Sequence, residues 1–132
     1  MTHEGEGLFG LGGRRLLVVE DNCLCADAVR GWLEICGASV ATVGSIDAAL
    51  DRLRNETPDL LLVDLHLPDG SGWELIERAR ASVPAVRSVP AVAITGFPLD
   101  VTTARRHGVQ HVITKPIAPE ALADALCDCL AA

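Results

Sequence analysis

Residues 59–72 read DLLLVDLHLPDGSG. Leu60, Leu61, Leu62 and Val63 follow one another without alternation, the pattern of a short strand buried on both faces. The run ends on a carboxylate, Asp64; Pro68, Asp69, Gly70, Ser71 and Gly72 then make a turn before a helical pattern begins. A charge at the tip of a buried strand lies where open α/β sheets keep their chemistry. Taken alone, Asp64 reads as a loop cap, and its company at the other strand ends changes that reading.

The same alternation of apolar run and helical stripe extends to both sides. Leu16 to Val19 form a first strand that ends on Glu20 and Asp21. From Asn22 a helix follows, with Ala26, Val29, Leu33 and Cys36 on one face and Gly37 as its stop. Ser39 to Val43 read as a second strand, and Ser45 as the N-cap of a helix marked by Ala48, Ala49, Leu50 and Leu53. Beyond the central strand, Leu75, Ile76 and Ala79 stripe a third helix, and the proline-bracketed SVPAVRSVP is a connector. Ala91 to Ile94 make a fourth strand ending on Thr95; a weak helix spans roughly 99–107. A fifth strand, His111 to Thr114, ends on Lys115-Pro116, and Leu122, Leu126, Cys129 and Leu130 stripe a last helix. Five strands alternating with five helices require right-handed crossovers and a parallel sheet, hence a doubly wound, three-layer α/β domain.

Composition narrows the function classes. The chain of 132 residues has room for one ordinary core, and 49% apolar with 22% charged residues is a globular balance. Apolar runs are too short to span a bilayer, and the opening MTHEGEGLFGLGG lacks the basic and long apolar regions of a secretory signal, so a cytoplasmic protein without a membrane is expected. Residues 1–13, with Gly5, Gly7, Gly10, Gly12 and Gly13, read as a flexible lead-in to a domain over 14–132. That glycine run precedes the first strand, has no G-x-G-x-x-G spacing, and no G-K-[ST] occurs, which excludes the nucleotide-binding loops. The net charge of −7, from 18 acidic and 11 basic side chains, argues against nucleic-acid binding by this surface. Cys23, Cys25, Cys36, Cys127 and Cys129 lack zinc-ribbon spacing; the pairs at opposite helix ends would stand about 20 Å apart at 1.5 Å per residue, so small buried thiols are expected.

In a parallel sheet all strands point their C-terminal ends at one edge. Four of these five end on a reactive polar group: Glu20-Asp21, Asp64, Thr95 and Lys115, the only lysine beside ten arginines. The second, ending on Val43-Gly44, is expected at the periphery. Carboxylates gathered this closely do not all stay ionised without a cation, and an oxygen-only set suits Mg²⁺ shared with phosphate oxygens. A hydroxyl on Thr95 and a compact ammonium on Lys115 suit the other phosphate oxygens. The set fits acceptance of a phosphoryl group on a carboxylate; nothing positions an organic substrate, so no enzyme is expected.

These motifs resemble the receiver domains of two-component response regulators, from Arg15 to about Leu130: VVEDN at Glu20-Asp21, LLLVDLHLPDGSG around Asp64, AITG at Thr95 and ITKPI at Lys115. The resemblance implies a flavodoxin-like sheet of order 2-1-3-4-5, with Asp64 as phosphoacceptor for a histidine kinase or phosphotransfer protein. It implies that Asp21 holds Mg²⁺ directly, Glu20 through water, and that Asp64 and the backbone carbonyl of His66 complete the ligands. Thr95 would be the switch hydroxyl, Lys115 the phosphate-binding lysine, and the Lys115–Pro116 bond is often cis in the family. Phosphorylation would then switch binding of a downstream protein; the alternative is an interaction module independent of phosphorylation. Val112 stands where the family often has an aromatic, and Gly96 where it often has Ala. His66 and Phe97 occupy positions that tune phosphoryl lifetime in the family. A haloacid-dehalogenase-type phosphatase needs a second Asp two residues after the nucleophile, where this chain has His66. Trp32 and Trp73 are expected to be partly buried. Arg105, Arg106 and His107 form a basic patch that could face Glu120, Asp124 and Asp128 across a two-fold, making a homodimer through the fourth helix, fifth strand and fifth helix. The chain stops two residues after Leu130, as a stand-alone regulator or a receiver cut from a hybrid kinase would.

Overall fold

The computed structural model describes residues 11–131. In chain order the elements are β1 (Arg15–Val19), α1 (Cys23–Ile35), β2 (Ser39–Val43), α2 (Ile46–Asn55), β3 (Leu60–Asp64), β4 (His66–Leu67), β5 (Gly70–Ser71), α3 (Gly72–Ser82), a 3-10 turn (Pro84–Ser88), β6 (Ala91–Thr95), α4 (Val101–Arg106), β7 (His111–Thr114) and α5 (Pro119–Ala131). Five strands form a parallel sheet of order β2-β1-β3-β6-β7, with β2 at its edge as expected. This is the flavodoxin-like order 2-1-3-4-5 once the two short strands are set aside.

Period-2 geometry divides each apolar run between two cores. Leu17, Val19, Leu61, Val63, Ala91 and Ala93 face α2, α3 and α4, packing on Ala49, Leu50, Leu75, Ile76 and Ala104. Leu16, Val18, Leu60, Leu62, Val92 and Ile94 face α1 and α5, packing on Val29, Leu33, Leu122 and Leu126. Both faces of β3 and β6 are therefore covered, which is why these strands carry no alternation of polar and apolar residues.

The helices begin on side-chain caps that satisfy free backbone donors. Asn22 accepts from the Cys25 N–H at 3.0 Å, Ser45 from Ala48 at 3.1 Å, Ser71 from Trp73 at 3.1 Å and Asp100 from Thr102 at 2.9 Å. The last cap starts α4 at Val101 instead of 99, and the helix runs six residues. Helix α1 gives way to Gly37 at φ +98°, a conformation favouring glycine. The proline-bracketed connector is a 3-10 turn with Val86 fully buried.

One expectation needs correction and one gains detail. Of the lead-in 1–13, residues 1–10 lie outside the described residues, but Leu11 is fully buried against the α1/α5 core and the Gly13 N–H donates to Gly37. Packing thus begins at Leu11, three residues before the expected boundary. The turn after Asp64 is itself ordered as a small antiparallel hairpin, His66 pairing Ser71 and Leu67 pairing Gly70.

Candidate functional site

The site forms where β1 and β3 lie side by side but hand the chain to helices on opposite faces, α1 and α3. At such a reversal of strand order the two departing helices leave a crevice above the strand ends. Glu20 and Asp21 follow β1, Asp64 is the last residue of β3, Thr95 the last of β6, and Lys115 follows β7.

Ligand oxygens of Glu20, Asp21 and Asp64 lie within 4.8 Å of one another. Glu20 is 4% and Asp64 3% exposed, whereas Asp21 opens to solvent. Lys115 Nζ donates to Asp64 Oδ2 at 2.8 Å and stands 2.8 Å from Glu20 Oε1. The second approach is an ion pair by distance but lacks hydrogen-bond angles, so Glu20 Oε1 stays buried without a hydrogen-bond donor. The other Glu20 oxygen accepts from the Asn22 N–H at 3.2 Å, and Asp64 Oδ1 from the His66 N–H at 2.8 Å.

These surroundings drive the two buried acids apart. Burial raises the Glu20 carboxyl above its usual range; Lys115 opposes that and Asp64 adds to it. Burial acts on Asp64 in the same sense, but the Lys115 ammonium and the His66 N–H outweigh it and hold Asp64 below the usual range. Burial would lower Lys115, yet its two carboxylate partners raise it. Asp64 is thus the acid kept ionised. The buried Glu20 oxygen facing the Lys115 ammonium and the exposed carboxylate of Asp21 offer hard oxygen ligands that fit a small divalent cation.

Thr95 is buried at the same edge, and its Oγ1 accepts from the Phe97 N–H at 3.1 Å. Its carbonyl accepts from the Lys115 N–H at 2.8 Å, tying the ends of β6 and β7 together. The Lys115–Pro116 bond is cis, as the resemblance implied. His66 is exposed, its ring 5.5 Å from that of the 65% exposed Phe97. Val112 is half-buried against the α2–α4 core. Trp32 and Trp73 are half-buried as expected. His107 leaves the expected basic patch: it stacks on Trp73 at 4.4 Å and lies 3.9 Å from Glu77, drawn onto α3, while Arg105 and Arg106 stay exposed. Only Cys36 is a buried thiol. Cys23 is exposed at the start of α1, and Cys25, Cys127 and Cys129 are half-buried.

Two residues that shape the site read in the linear sequence only as turn residues. Asp69 accepts from the Ile46 and Asp47 N–H groups at 2.9 and 3.1 Å, pinning the hairpin to the N-terminus of α2; those bonds hold its carboxyl below the usual range. Gly72 packs directly behind the acid: a Cβ there would stand 2.5 Å from the Asp64 carbonyl oxygen and 2.9 Å from Val63 Cγ1.

A doubly wound domain with an acidic crevice closed by one lysine is the class that this geometry defines. The sequence pattern of the response regulator receiver domain matches residues 16–127, and the chain belongs to that family, whose members serve two-component signalling. Among curated relatives, the polar-differentiation response regulator DivK of Brucella ovis is 33% identical over 106 residues, covering 79% of this chain and 85% of DivK. Regulatory protein LuxO of Vibrio vulnificus is 36% identical over 101 residues, 75% of this chain but only 22% of LuxO. Among solved structures, a CheY-like receiver domain from Methylobacillus flagellatus superposes with a TM-score of 0.79 at 28% identity, covering 89% of this chain and 98% of that one. The receiver domain of the sensor histidine kinase PA1611 from Pseudomonas aeruginosa, solved with magnesium in its active-site cleft, shares the fold with a TM-score of 0.81 at 24% identity, covering 92% of this chain and all of that one.

Proposed function

We propose that Asp64 accepts a phosphoryl group from a histidine kinase or histidine phosphotransfer protein, with Mg²⁺ bound, and that the modified domain changes its affinity for a downstream protein. The observation that carries this is the pairing of Asp64 with Lys115 at 2.8 Å inside a cluster of three carboxylates. Glu20, Asp21, Asp64 and the His66 carbonyl would hold the ion, which supplies charge neutralisation for the phosphoryl oxygens.

The chain's own groups do the rest. Asp64, kept ionised, attacks phosphorus as the P–N bond to the donor imidazole breaks. Lys115 steadies the charge moved onto the phosphoryl oxygens, and Thr95 offers its hydroxyl to one of them. An apolar groove of about 310 Å³ between α1 and α5, lined by Cys25, Ala28, Ile117 and Pro119, adjoins Lys115. With Leu24 83% exposed nearby, it supports docking of a helical donor beside the acid. Exposed Arg106 on α4 and Glu120 and Asp124 on α5 support a homodimer through α4, β7 and α5. Among the described residues no helix is long and apolar enough to cross a membrane; the module proposed here acts in the cytoplasm as a signalling switch and not as an enzyme with turnover. Transfer of label from a phosphohistidine donor tests the reading: uptake by the wild type and none by Asp64→Asn is expected. No uptake by the wild type would leave the phosphorylation-independent module.

A further inference from the structure

At the edge of the sheet where the strands begin, a cleft of about 720 Å³ is lined by Arg14, Arg80, Arg87 and Arg105, together with Asp59 and Asp128. Its volume is that of a small-molecule site. Its charge runs against the rest of the chain: four of ten arginines converge here in a protein of net charge −7.

None of these four pairs with a carboxylate among the described residues, whereas Arg15, Arg30, Arg52 and Arg78 elsewhere all do. Arg80 donates only to the neutral carbonyls of Gly108, at 2.7 Å, and Val89, at 2.9 Å; its Nε is buried with no acceptor. The Arg80 backbone carbonyl in turn accepts from Arg87 Nε at 3.0 Å, so the Arg87 guanidinium too has a neutral carbonyl as its partner. The two acids of the cleft are otherwise engaged or apart: Asp59 accepts from the Arg15 N–H at 2.8 Å, and Asp128 lies 4.0 Å from His111. A half-buried cation with only neutral partners has lost hydration that a dipole replaces in part, and an anion completes its surroundings.

We propose that this cleft binds a small metabolite carrying two or more phosphoryl groups, at a site separate from the acidic crevice. Planar guanidinium forks take phosphoryl oxygens in pairs, and several forks around one open cleft suit closely spaced phosphoryl groups better than the wider-spaced carboxylates of an acidic peptide. Strand β3, which runs between the two sites, is five residues long, so about 15 Å separates the edges at roughly 3.3 Å per residue.

Titration calorimetry with pyrophosphate and with ATP, in EDTA so that no metal bridges them to the carboxylates, tests the site. Saturable one-to-one binding is expected for the wild type and for Asp64→Asn. It should be at least about tenfold weaker in Arg87→Ala/Arg105→Ala, two exposed positions, and unchanged in Arg54→Ala, an exposed arginine on α2. Arg105→Ala alone, whose side chain anchors no other described group, gives a smaller loss in the same direction and serves if the double variant does not fold. Absence of saturable binding, equal affinity in the arginine variants, an equal loss in Arg54→Ala, or binding of an oligoglutamate peptide in place of both phosphates would overturn the proposal.

Discussion

At the edge where the strands end, one lysine pairs with two of three clustered carboxylates; at the edge where they begin, four arginines pair with no carboxylate among the described residues. The first set is self-compensating in part: the ammonium of Lys115 stands 2.8 Å from both buried acids, and a divalent ion would complete the balance. In the second set Arg80 and Arg87 lean on neutral carbonyls, and the proposed anion would complete the surroundings of all four. One parallel sheet thus sorts charge by sign along its strands. Cation chemistry gathers at the strand C-termini, where the departing helices open a crevice, and the opposite edge collects side chains from loops and helix ends.

The comparison can be broken most forcefully at Lys115. Lys115→Ala removes the partner of two buried carboxylates and is expected to lower stability by about 3 kcal/mol in metal-free buffer, read by urea unfolding. Mg²⁺ should restore part of it. Because the folded state raises the Lys115 pKa, its contribution is complete below the ordinary value of 10.5 and fades only as pH rises through the higher folded value. The gap between variant and wild type should therefore persist across neutral pH, narrow in strong acid as the partner carboxylates protonate, and close in strong alkali.

Next in size is Gly72→Ala. The added methyl meets the Asp64 carbonyl and Val63, and a cost of about 2 kcal/mol in thermal or urea unfolding is expected. Asp69→Ala should be milder. Its carboxylate caps α2 through two N–H groups, and its folded pKa is depressed, so its stabilisation is present above the ordinary value of 3.8 and lost as pH falls through the folded one. The variant should melt earlier than the wild type at pH 7 and coincide with it in strong acid. The smallest effect is expected from the far edge: Arg87→Ala/Arg105→Ala should leave phosphoryl uptake at Asp64 unchanged. A matching loss there would show that the two edges are not independent.

The acidic edge was legible in the linear chain because each contributing residue ends or closely follows an apolar run. Glu20-Asp21, Asp64, Thr95 and Lys115 need only the premise of a parallel sheet to be placed together, and β2 and β7 run over the residues read for them. The arginine edge was not legible. Arg14, Arg80, Arg87 and Arg105 come from a loop, a helix end, a 3-10 turn and a helix, and no local period links them. Asp69 looked like turn chemistry because its partners, Ile46 and Asp47, lie more than twenty residues away. Gly72 passed as a turn glycine since its φ is ordinary and its reason is the approach of the Asp64 carbonyl. Leu11 was hidden by the glycines around it, though it is buried as fully as the core of β3.

The central claim is that Asp64 is a carboxylate prepared to receive a phosphoryl group with a divalent ion beside it. Intact-mass spectrometry of the wild type and Asp64→Asn after acetyl phosphate, with Mg²⁺ and with EDTA, tests it most directly. One phosphoryl group on the wild type with Mg²⁺, and none in the other three samples, is the predicted result; an unmodified wild type, or equal modification of Asp64→Asn, would contradict it.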